Sequence, residues 1–196
     1  MSNDFLDENY KEPELPSNYT KIEEGETVLR ILAKPQMGWQ GWRDEVNEKG
    51  ENVSKPVRVR DDGKDSCDVA DFDEDVRDVK FFWVMPVWNY NEGVVQIWNI
   101  PQTTIRKALV ALNRNKAWGN PVGYDLSITR TGKEMQDTKY TVMPNPKAEL
   151  ESTILVKYNE MKIDWDAWWV SDDPFQKKEN SAEAPKEEVN IKKIPF

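Results

Sequence analysis

Rings and cations are the residues of this 196-residue chain that can do chemistry, and there are many of both: nine tryptophans, six tyrosines, and 27 lysines and arginines. A strand of single-stranded nucleic acid needs cationic groups along its phosphates and exposed rings under its bases, each stack contributing about 1–3 kcal/mol. The candidate rings are Trp39, Trp42, Trp83, Trp88, Tyr90, Trp98 and Tyr140. The candidate cations are Arg30, Arg58, Arg60, Lys80, Arg130, Lys133 and Lys139. Burial in a core is the competing reading of every ring, and it weighs as much as function for Phe81, Phe82 and Tyr140. Trp39 and Trp42 each follow a glycine, Gly38 and Gly41, where the chain leaves a strand, and glycine-flanked loops rarely build cores. For each cation the competing reading is a solvated surface.

Other chemistries find little support. The chain has no histidine and a single cysteine, Cys67. Histidine-dependent triads and structural zinc sites therefore have no ligand set, and an intramolecular disulfide is excluded. The acidic run at residues 68–78 offers hard oxygens, but it lacks the spaced ligands and turn glycine of a calcium loop, so a solvated or DNA-mimicking loop is the better reading. A metal-dependent nuclease using Asp71, Asp73 and Asp75 is the enzymatic alternative. No cofactor, metal or catalytic residue is expected, and the chain reads as a non-enzyme.

Net charge is −9, yet it is unevenly spread. Residues 1–19, 20–80 and 148–196 are acidic, while residues 81–147 carry eight Lys/Arg against four Asp/Glu. The aromatic-rich centre is thus the basic segment. No apolar run approaches the ~20 residues of a membrane span, and the acidic start lacks the pattern of a secretory signal. A cytoplasmic protein is the expectation.

The elements that must position these groups follow from periodicity. Residues 80–100 read as a β-hairpin whose polar break contains Asn91 and Gly93. Trp83 and Trp88, an odd number of positions apart, share a face only if Pro86 marks a bulge. A first strand is expected at 27–33, a short one at 55–61 within a long polar insertion, and a hairpin at 124–143. Between the hairpins, residues 102–117 read as a helix capped by Thr103 or Thr104, with Ile105, Ala108, Leu109 and Leu112 on its apolar face.

This order predicts a mainly β protein: a five-stranded OB-fold, a Greek-key barrel with a helix between strands three and four. Four segments are expected: a flexible acidic arm (1–19), the OB domain (20–147), a helical and aromatic extension (148–170) and a disordered tail (171–196). Within the extension, Trp165, Trp168 and Trp169 have acidic neighbours that repel phosphate, so packing is their expected role.

The stretch FWVMPVWNY, the helix TIRKALVALNRN followed by WGNPVGYDLSITRTG, and TKYTVMPNP resemble the single-stranded-DNA-binding proteins of tailed bacteriophages, over residues 20–147. The resemblance implies an OB-fold that coats single-stranded DNA without sequence preference during phage DNA replication, recombination and repair, in the host cytoplasm. The terminal Ile194, Pro195 and Phe196 are similar to the tail tip of bacterial single-stranded-DNA-binding proteins, which implies recruitment of replication and recombination partners. Lys192 and Lys193 stand where the bacterial tip has aspartates.

The expected function is therefore sequence-independent single-stranded DNA binding, with cooperative or oligomeric assembly on the strand. A barrel that uses the same aromatic surface to bind another protein is the alternative.

Overall fold

The computed structural model describes residues 16–61, 72–134 and 136–175. Cys67, most of the acidic run, the first 15 residues and the 194–196 tip lie outside them. The architecture is mainly β. Seven antiparallel strands form one open sheet: β1 (Gly25–Ile31), β2 (Gln36–Val46), β3 (Asn52–Arg60), β4 (Arg77–Asn89), β5 (Val94–Ile100), β6 (Tyr124–Thr131) and β7 (Lys139–Lys147). The helices are α1 (Thr103–Arg114), α2 (Ser152–Met161) and α3 (Trp165–Trp169).

Seven strands replace the expected five because residues 36–60 are not a loop. They form a hairpin of two long strands in unbroken register from Gly38↔Arg60 to Val46↔Asn52. Its turn is closed by Asn47, whose side-chain oxygen accepts from the backbone N–H groups of Lys49 and Glu51.

β4 is the longest strand and holds the sheet together. Its first half pairs with β2 and its end with β1, from Ile31↔Val87 to Leu29↔Asn89. Pro86 lies where one partner gives way to the other, so its missing N–H falls outside both ladders. On the opposite edge β5 pairs with β4 from Trp83↔Ile100 to Asn89↔Val94 without a break. The bulge considered at Pro86 is therefore absent, and Trp83 and Trp88 lie on opposite faces. The irregularity of β4 comes earlier. Gln40 is opposite Lys80 but Trp42 is opposite Arg77, and the extra residue coincides with Asp78 at φ 56°.

The inner face of the sheet packs on α1. Leu29, Met85, Val87, Trp98, Ile100, Leu126 and Ile128 meet Ile105 and Leu109, each buried side chain contributing about 1.5–3 kcal/mol. The expected apolar face of α1 is thus the one that packs. Its cap is not as expected: Gln102 precedes the helix and, among the described residues, no side chain caps it.

The outer face of β4–β5 is covered as well. Trp168 and Trp169 of α3 pack on Phe82, Val84 and Ile97, and Ile154 of α2 packs on Trp88 and Val95. The packing role expected of the 165–169 tryptophans is what the structure has. Residues 17–20, at the end of the expected arm, lie along β5. Ile97 donates to Asn18 O, and the buried Gln96 amide donates to Ser17 O while accepting from Thr20 and Asn89.

Candidate functional site

β5 turns away at Pro101, while β4 continues for six more residues toward its start. Among the described residues, the edge of β4 at residues 77–82 therefore has no strand partner opposite β2. A cleft opens on each side of this edge. One, of about 570 Å³, is lined by Lys21, Gln40, Trp42, Lys80, Phe82, Arg130 and Tyr140, with Glu23 and Asp78 also on its wall. The other, of about 870 Å³, is lined by Trp39, Phe81, Thr103, Thr104, Arg106, Lys80, Arg130 and Tyr140. Lys80, Arg130 and Tyr140 belong to both, so the two clefts are continuous.

Local geometry explains why rings gather here. β2 and β4 run past the end of β5, so side chains of both faces reach the same opening. Trp39 meets Phe81 edge to face, centroids 5.4 Å apart, and the Arg106 guanidinium lies 5.3 Å from the Phe81 ring. Arg106 is held by the carbonyls of Ile100 and Pro101 and by the Thr103 hydroxyl. Its partial burial lowers its pKa by desolvation. Arg130 donates to Ile22 O, and its Nε is buried without a partner among the described residues. The uncapped start of α1 faces the same opening through Gln102, Thr103 and Thr104.

The cations at this opening differ from those elsewhere on the hairpin. Arg43 pairs with Asp73 and Asp75, Lys55 with Glu45, and Arg77 with Asp44. Among the described residues, Lys80, Arg106, Arg130, Lys133 and Lys139 have no carboxylate within ion-pair distance, as the salt bridges involve other groups.

Of the fourteen residues singled out from the sequence, Trp39, Trp42, Lys80, Arg130 and Tyr140 come together in the clefts. Lys133 and Lys139 are exposed on and beside the adjoining β6–β7 turn. Buried Trp98 also borders the first cleft, and the others lie elsewhere. Trp98 is 1% exposed in the core, and Trp88 is 7% exposed beneath α2, with Lys157 Nζ 4.8 Å from its ring. Neither can stack on a base while the fold is intact, which corrects both assignments. Trp83 packs against the inner core. Arg30, 4% exposed, is consumed by Asp125 at 3.1 Å and the carbonyl of Ala148, a second correction. Tyr90 donates to the same Asp125. Arg58 and Arg60 lie under α3, beside Trp168 and Trp169.

Arg106 escaped the sequence reading. A basic residue on an amphipathic helix looks like solvated surface, and only the packing of α1 brings it to Phe81.

No family model, curated protein or solved structure matches the chain. Among the described residues, no helix is long and apolar enough to cross a membrane. No group of three or more acidic, histidine or cysteine side chains there is placed to hold a metal ion.

Proposed function

We propose that the chain is a non-enzymatic single-stranded-DNA-binding protein of the phage type, and that the paired clefts hold the strand. On this reading β1, β4, β5, β6 and β7 are the five strands of an OB-fold, α1 is the helix between strands three and four, and β2–β3 is a hairpin inserted between strands one and two. The observation that carries the reading is the convergence of Trp39, Trp42, Phe81 and Tyr140 along one opening with Lys80, Arg106 and Arg130, which form no ion pair among the described residues. Bases stack on the rings, phosphates meet the cations, and the exposed N–H groups at the start of α1 add partial positive charge. Stacking on a ring accepts every base, so binding on this reading is sequence-independent. Protection of the strand during phage replication, recombination and repair follows, with partners recruited through Ile194, Pro195 and Phe196.

The test is intrinsic tryptophan fluorescence titrated with oligo-dT at two salt concentrations. Quenching with an affinity that falls at higher salt is the expected result.

One observation favours a second reading. The unpaired β4 edge, with a cleft on either side, suits an extended peptide that adds as a strand and sends alternate side chains into the two clefts. A protein-binding module of this kind is not quenched by oligo-dT.

A further inference from the structure

Aspartate and glutamate make up 36 of the 196 residues, yet none occurs from Gly93 to Tyr124. That stretch contains α1, which carries Arg106, Lys107 and Arg114. A solvated helix ordinarily mixes charges of both signs and favours carboxylates in its first turn, where they meet the positive end of the helix dipole. The first turn of α1 has no acidic residue, and Arg106 and Lys107 stand at its end with the sign that the dipole disfavours. An anion lying along the helix offsets both the repulsion among these cations and their conflict with the dipole.

The fold gives these cations a groove. The paired clefts do not end at Phe81, Thr103 and Arg106. The same three residues line a third hollow, of about 450 Å³, which follows α1 past Lys107 to Val110 and Arg114. Val110 and Arg114 in turn line a fourth, of about 540 Å³, walled by Met37, Met85, Leu109 and Val122 and also lined by Lys34. From Arg106 to Arg114 the groove keeps to the helix for about 12 Å. Among the described residues no carboxylate lines the third or the fourth hollow, whereas Glu23 and Asp78 line the first cleft. Lys34, Lys107 and Arg114, like Arg106, form no ion pair there.

We infer that a single strand of nucleic acid too long for the paired clefts continues along this groove, with its phosphates on Arg106, Lys107, Arg114 and Lys34 and a base of its far end in the apolar fourth hollow. The inference rests on the nucleic-acid reading of the clefts and extends the path from the edge of the sheet to the face of a helix. Continuity carries it first, since each hollow shares residues with the next. Charge carries it second, because a groove walled by one sign concentrates the opposite one. The apolar walls at the far end add a surface on which a base loses less than it would in a polar cleft.

Oligo-dT of about 4 and about 16 nucleotides, the limits of site size for an OB fold, distinguishes the two parts of the path when titrated against the full chain. Lys107→Gln and Arg114→Gln are the variants, and both side chains are exposed, so the fold is retained. Each is expected to leave the affinity for the short strand at the parent value. Each weakens the long strand several-fold at low salt and lowers its slope of log affinity against log salt by about 0.7. Lys116→Gln is the control: it removes the same charge from the same acid-free stretch but lines none of the four hollows. Long-strand affinities equal to that of the control overturn the path along α1 and leave the clefts intact. A loss of the same size with both lengths also overturns it, because the helix would then belong to the first contact. Binding of neither strand by the parent protein overturns the groove and the clefts together.

Discussion

Trp83 and Trp88 stand five positions apart on one regular strand and point to opposite sides of the sheet, one toward α1 and the other beneath α2. Both sides of the aromatic hairpin are therefore closed by protein. The rings left for a ligand are those that lie beyond the end of β5.

Trp39→Ala and Trp42→Ala are expected to weaken oligo-dT binding by about 5- to 150-fold each, the equivalent of one lost stack of ~1–3 kcal/mol. Neither ring is buried, so thermal stability stays close to that of the parent protein. Trp98→Ala is the contrast. Its ring fills the core, and its loss costs about 3–5 kcal/mol of folding stability by chemical denaturation. Unchanged affinity in both cleft variants would remove the stacking mechanism.

Replacing Lys80, Arg130 or Lys139 by glutamine should reduce the slope of log affinity against log salt by about 0.7 for each phosphate that is no longer neutralised. Lys55→Gln serves as the control, since Glu45 already pairs with it. Titrations across a salt series give the slopes directly. A slope that changes equally in the control would place the phosphates elsewhere.

Gly38→Ala is expected to loosen the outer layer. A Cβ at this position would meet the backbone oxygen of Val59 and come within 2.6 Å of the Trp169 ring. Both neighbours are packed, so the cost is about 1–3 kcal/mol. A red-shifted tryptophan emission reports the displaced indole. An emission maximum identical to that of the parent protein would contradict this account of the layer.

Tyr90 should be among the last tyrosines to ionise. Partial desolvation and the adjacent Asp125 carboxylate raise its pKa to about 12. A raised folded-state pKa favours the protonated phenol in the folded protein. Its contribution to stability is thus complete below the unfolded tyrosine value of about 10 and is lost as pH climbs through about 12. Absorbance of tyrosinate during alkaline titration measures this, and Tyr90→Phe should remove the highest-pH component.

The β4–β5 hairpin, α1 and the β6–β7 hairpin were legible in the sequence, because each has a buried face that imposes its period on the residues. β2 was not. Its sequence, QMGWQGWRDEV, has two glycines and a charged end, and it projects beyond the core where no alternation is required. The candidate site was legible at Trp39 and Trp42, whose flanking glycines marked them. Trp88 and Arg30 could not be placed correctly, since their burial depends on α2 and on Asp125, more than 60 and 90 positions away. Parity along β4 separates Trp83 from Trp88, but no local pattern says what lies over either face.

β1 pairs with β4 on one side and β6 on the other. Gly25 faces Arg130, so β1, the first of the described strands, waits for about 100 further residues before its second neighbour exists, roughly 5–20 s at typical elongation rates. During that interval Leu29 and Ile31 have no complete core to enter. Refolding of the finished chain inherits the same demand, since these long-range pairings must form together, and its rate belongs with the millisecond-to-second folders rather than with helical bundles.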